Sequence, residues 1–67
     1  MTQFIPRLTS LIKNSGKTQT EICKELGISK QKMTNWKSGY TQPSIDDIVM
    51  LARYFGVTTD YLLGLED

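Results

Sequence analysis

Five glycines, at positions 16, 27, 39, 56 and 64, cut the 67-residue chain into short blocks, most of which open on a serine or threonine. That is the punctuation of short helices: a hydroxyl side chain accepts from the unpaired amides at a helix start, and a glycine closes the end. Pro6 suits a first turn, where its missing N–H has no helical partner in any case, and Leu8, Leu11 and Ile12 recur at helical spacing. A first helix is predicted over about 6 to 15. Thr18 with Glu21 three residues on has the capping-box pattern; Ile22, Cys23 and Leu26 give the helix it opens a buried face, and Gly27 ends it. Only Ile28 separates that glycine from Ser29, the next cap, so a tight turn joins this helix to a third over about 30 to 38. Ile28 and Met33 stand as a hydrophobic staple at its start, and Gly39 stops it. After the irregular segment "YTQP", Ser44 opens a fourth helix with Asp46 and Asp47 in its first turn, where the helix dipole favours negative charge. Ile45, Ile48, Val49, Ala52 and Phe55 form its expected apolar face, up to Gly56. Thr58 caps a last helix over 59 to 63, with Val57 and Leu62 as a second staple. The expectation is an all-α fold: one domain over residues 1–67, five helices, no strand, one shared core.

A chain this short sits near the lower limit for a single core without disulfides or metal. Its one cysteine cannot pair internally, and with no histidine a His-based catalytic dyad is excluded and a metal site lacks its commonest ligand. Neither an enzyme nor a cofactor is expected. Cys23 lies on the inner side of its helix and reads as a packed core thiol rather than a redox switch. No apolar run approaches the roughly 18 to 20 residues that span a bilayer, and the N-terminus does not have the build of a secretory signal. A cytoplasmic protein, bacterial or phage-encoded, without a membrane partner, is expected.

The net charge is only +1, but it is unevenly spread. Residues 13 to 40 hold six lysines against two glutamates, whereas residues 44 to 67 hold one arginine against five carboxylates. Such polarity is expected of a protein that turns one side to an anionic partner. On a wheel of about 100° per residue, Met33 and Trp36 point together to the core. Gln31, Thr34, Asn35 and Ser38 then face outward, with Lys30, Lys32 and Lys37 flanking the apolar side. An ordinary solvated face would look much the same, but these side chains also have the chemistry of a base reader: amides that pair with adenine, lysines for guanine or phosphate, a threonine methyl for thymine. Lys30 and Lys32 sit in a first turn that is already positive, at a cost of about 0.3–1 kcal/mol each. The helices opened by Thr18 and Ser44 place acids there instead. A bound phosphate would answer both the lysines and the dipole.

The segment "TQTEICKELGISKQKMTNWKSG" resembles the helix-turn-helix of the Cro and phage-repressor type. The match rests on Ile22, Leu26, Ile28, Met33 and Trp36 as the apolar positions, small Cys23, and Gly27 at the turn. "RLTSLIKNSGKTQ" resembles that family's first helix and "PSIDDIVMLARYFGVTTDYLLG" its fourth and fifth, which makes the expected fold lambda-repressor-like. The resemblance implies that the second helix of the motif lies in the DNA major groove. By position, it marks Lys30, Gln31 and Asn35 as base-contacting, with Lys32 and Thr34 as further candidates. It makes Gln19 similar to the family's phosphate-touching glutamine, and Ser38 and Tyr40 similar to its backbone-contacting positions. The chain departs from the family's pattern twice, with Ile12 where many relatives carry arginine and Lys37 where they carry glutamate. Apolar packing by Ile12 is expected to replace that ion pair and to free Lys37 for a phosphate.

The implied function is sequence-specific binding of double-stranded operator DNA by a transcriptional regulator, most often a repressor in this family. Two copies on a pseudo-palindromic site are expected, since one small module buries little surface. Tyr61, Leu62, Leu63 and Leu65 are the expected dimer contact, with closure of the core as the competing reading. The alternative function is a protein-interaction module, antitoxin-like or adaptor-like, on the same fold.

Overall fold

The computed structural model describes residues 3–66. It contains five helices: α1 (Phe4–Asn14), α2 (Gln19–Leu26), α3 (Lys30–Ser38), α4 (Ile45–Phe55) and α5 (Thr59–Leu63), and no strand among the described residues. α1 lies against α3 and α5, α2 against α3, and α4 against α5. One core is shared by all five, with Leu8, Ile22, Met33, Trp36, Leu51 and Leu62 at its centre. Among the described residues, no helix is long and apolar enough to cross a membrane.

The bounds of α2 to α5 follow from their caps. Thr18 and Glu21 form the reciprocal capping box at α2; at α3, α4 and α5 the hydroxyls of Ser29, Ser44 and Thr58 each accept the backbone N–H three residues on. α4 has a second complete box, because the Asp47 carboxylate also accepts the Ser44 N–H at 3.0 Å. Each of these helices ends on a left-handed glycine, with the next residue donating its N–H back into the last turn, as from Ile28 to the Cys23 carbonyl at 3.0 Å. α1 differs from expectation. It starts two residues early, at Phe4, without a side-chain cap, because Phe4, Leu8 and Ile12 form a single buried stripe. Its first backbone bond runs from the Arg7 N–H to the Gln3 carbonyl at 3.1 Å, so Pro6 still falls where no donor is needed.

Two further expectations are corrected. Ile45 is 83% exposed, while Leu51, absent from the expected face of α4, is fully buried. The buried side of α4 is centred on Ile48, Leu51 and Ala52; its first turn runs beyond the core and opens a groove of about 500 Å³ toward α5, lined by Pro43, Ile45, Val49 and Leu63. Leu62, expected at a dimer contact, is fully buried and closes the core. Leu65, by contrast, is 74% exposed, with Tyr61 and Leu63 half-buried.

The end of the chain is held by α1. The Arg7 guanidinium donates to the carbonyls of Tyr61, at 2.6 Å, and of Glu66, and stacks 4.3 Å from the centre of the Tyr61 ring. Gly64 is required where it stands: with φ at +86° it is left-handed, and a Cβ there would meet the Gln3 side chain at 2.5 Å. Lys17, Glu25 and the Tyr54 hydroxyl tie the α1–α2 loop and α2 to α4. The Lys17 ammonium is the main reason the Glu25 carboxyl is held below its ordinary range.

Candidate nucleic-acid interface

α2 and α3 are joined by three residues, Gly27 to Ser29. With φ at +73°, Gly27 turns the chain through a conformation that a Cβ makes costly, and Ile28 packs on the core behind it. α3 then leaves on a direction set by its inward face, where Met33 is fully buried and Trp36 is 2% exposed. Those two anchors decide what the other side presents. Gln31, Thr34 and Ser38 are exposed and Asn35 is half-buried, so the four expected outward residues do share the free side of the helix. Met33 and Trp36 contribute roughly 1.5–3 kcal/mol each by burial, enough to hold a nine-residue helix whose remaining side chains are polar.

The outward side chains are not independent of one another. The Gln31 amide nitrogen donates to the Asn35 side-chain oxygen at 2.8 Å, one turn away on the same face. Gln19, the first residue of α2, donates its amide to the Thr34 hydroxyl at 3.3 Å, while its own oxygen accepts from the Lys37 ammonium at 2.9 Å. A short chain of polar contacts, Lys37 to Gln19 to Thr34, thereby binds α2 to α3. Ser38 donates its hydroxyl to the Asn35 carbonyl at 3.2 Å, and Tyr40 beyond the helix end is 81% exposed.

The lysines separate into different environments. Lys30 is exposed, and among the described residues no carboxylate lies within ion-pair distance of it. Lys32, a further candidate for base contact, instead leans toward α4: its ammonium is 3.7 Å from the Asp47 carboxylate and 5.6 Å from the centre of the Trp36 ring. Burial pushes the Asp47 carboxyl up, but the Ser44 backbone and hydroxyl bonds together with Lys32 outweigh it, and the net shift is downward. Ile12 is buried in the core, but Lys37, expected to be freed for a phosphate, is half-buried and engaged with the Gln19 side chain instead. Neither Asp47 beside Lys32 nor the Lys37–Gln19 pair was legible in the sequence, where only the charge at each position can be read. Cys23 is 2% exposed and its thiol is pushed up by burial, as fits a packed core sulfur.

Comparison with known proteins agrees with this fold. The helix-turn-helix family model matches residues 8–62. The chain is 39% identical over 62 residues to the HTH-type transcriptional regulator AnsR of Bacillus subtilis, covering 92% of this chain and 53% of that protein. It is 33% identical over 61 residues to the HTH-type transcriptional regulator ImmR of the same organism, covering 91% and 48%. It is 28% identical over 65 residues to the HTH-type transcriptional activator BcrR of Enterococcus faecalis, covering 97% and 32%. The chain thus spans about half the length, or less, of these curated relatives. No solved structure matches it. With its five-helix fold, its α2–turn–α3 unit and a family match over most of its length, the chain belongs to the Cro and phage-repressor type of helix-turn-helix proteins, a family of transcriptional regulators and not of enzymes.

Proposed function

We propose that the chain is the operator-binding part of a transcriptional regulator and reads double-stranded DNA by laying α3 in the major groove. The observation that carries this reading is the division of α3 into two faces. Met33 and Trp36 commit one face to the core, and the other presents Gln31, Thr34 and Asn35 with Lys30 at the helix start. A major groove about 12 Å wide admits a helix of this size, and amide groups are the side chains that pair a donor and an acceptor with adenine. Lys30, Gln31 and Asn35 are the reading set, with Thr34 beside them; Lys32, drawn to Asp47, stands at its margin.

Phosphates on either side are met by Gln19 at the start of α2 and by Ser38 and Tyr40 beyond α3, with Lys37 supplying charge behind Gln19. Two copies on a two-fold symmetric site meet through the C-terminal face, where Leu65 is exposed beside Leu63 and Tyr61. Occupancy of the operator excludes or recruits polymerase, with repression the favoured outcome. Selection of bound duplexes from a randomised DNA pool at roughly physiological salt, where non-specific phosphate binding is weak, tests the reading. A two-fold symmetric motif is the expected result; a folded protein that enriches no sequence would overturn it.

A further inference from the structure

Gln31 and Asn35 stand one helical turn apart with their amides joined at 2.8 Å, the nitrogen of the first donating to the oxygen of the second. We propose that they act as one reading head, in which Asn35 is a positioning residue that fixes the amide of Gln31, and Gln31 reads adenine. This rests on the DNA-reading function above and deepens it, moving Asn35 within the reading set from direct base contact to the support of Gln31. A carboxamide offers two N–H donors and one acceptor oxygen. One Gln31 N–H is taken by Asn35, which leaves one N–H and the Gln31 oxygen: a donor and an acceptor on the same amide, the complement of adenine N7 and N6.

Fixing the amide matters because glutamine is ambiguous. A free Gln31 can turn its amide over and offer donors to the two acceptors of guanine, N7 and O6, as readily as it offers the mixed pair to adenine. Held by Asn35, the amide can turn only together with the Asn35 amide, because turning alone brings the two side-chain oxygens, both acceptors, face to face. The exposures fit this division of labour. Gln31 is exposed at the start of α3, whereas Asn35 is half-buried toward its end. The Asn35 carbonyl accepts from the Tyr40 N–H at 3.0 Å and from the Thr41 N–H at 3.3 Å, so its backbone is fixed by the helix end. The more buried residue orients the more exposed one.

The test compares the motifs that four proteins enrich from a randomised DNA pool, each confirmed folded by circular dichroism: the unaltered chain, Gln31→Ala, Asn35→Ala and Asn35→Asp. The unaltered chain is expected to fix an adenine in each half-site at a position that Gln31→Ala leaves undetermined. Asn35→Ala is expected to relax that same position, admitting guanine with adenine, and to leave the other positions alone. Asn35→Asp has a carboxylate that can only accept, so it is expected to keep the adenine while binding more weakly overall. The proposal is overturned if Asn35→Ala relaxes a different position, which would make Asn35 a reader in its own right, or leaves the motif unchanged. A guanine at the position that Gln31 governs overturns it as well. If the unaltered chain enriches no motif, the DNA-reading function itself falls, and this inference with it.

Discussion

α4 begins at Ser44, which exchanges a reciprocal pair of hydrogen bonds with Asp47; α3 begins at Ser29, whose hydroxyl takes the Lys32 N–H in the same way, but with a lysine where the acid would stand. Both helices close on left-handed glycines. α4 buries Ile48, Leu51 and Ala52 and carries two acids in its first turn; α3 buries Met33 and Trp36 and carries none. α4 satisfies its own ends and needs nothing further. α3 is attached through few residues and leaves a positive start exposed, with Lys32 partly answered by the acid of α4 and Lys30 unanswered among the described residues. Of these two helices, α3 is the one that departs from the local rules of helix construction, and its outer face is the one proposed to meet DNA.

The contrast is broken most forcefully from the inside of α3. Trp36→Ala should destabilise the protein by about 3–5 kcal/mol, because it removes one of only two anchors, and urea unfolding would measure it. On the outside the pattern should reverse. Gln31→Ala is expected to leave the unfolding midpoint within roughly 0.5 kcal/mol of the unaltered chain and to weaken binding to an enriched duplex by about 1–3 kcal/mol, read by fluorescence anisotropy. Equal losses in both measurements would erase the distinction between the faces.

Smaller effects should separate the two helix starts. Ser44→Ala breaks a reciprocal box and Ser29→Ala a single bond, so thermal unfolding should show a loss of about 1 kcal/mol for the first and less for the second. The Asp47 carboxyl is held below its ordinary value in the folded chain, so its contribution is fully present above the unfolded carboxylate pKa. That contribution is lost as pH falls through the folded value. Asp47→Asn should therefore flatten part of the fall in stability below about pH 5, a difference an acid titration followed by circular dichroism would detect.

The sequence reveals the helices whose boundary signals are local. The caps at Thr18, Ser29, Ser44 and Thr58 and the closing glycines lie within a few residues of what they satisfy, so the bounds of α2 to α5 could be read directly. α1 has no side-chain cap, and its true start depends on Phe4 finding the core. A helical wheel gave the inner face of α3, because Met33 and Trp36 are its only large apolar residues. It misplaced that of α4, where Ile45 and Leu51 are equally apolar and only the neighbouring helices decide which is covered. Partners distant along the chain were out of reach: Arg7 on the carbonyls of Tyr61 and Glu66, Lys32 by Asp47, and Lys37 on Gln19. The outward set of α3 was legible as a set of residue types, but its internal hydrogen bonds were not.

The most direct test of the account is to follow the backbone amide resonances of the isotope-labelled protein by nuclear magnetic resonance as an enriched duplex is added. The largest shifts are expected on Gln19, on Lys30 to Ser38 along the outer side of α3, and on Tyr40, with α1 and the middle of α4 little changed. Shifts concentrated instead along the groove beside Ile45 and Leu63, with α3 unmoved, would contradict it.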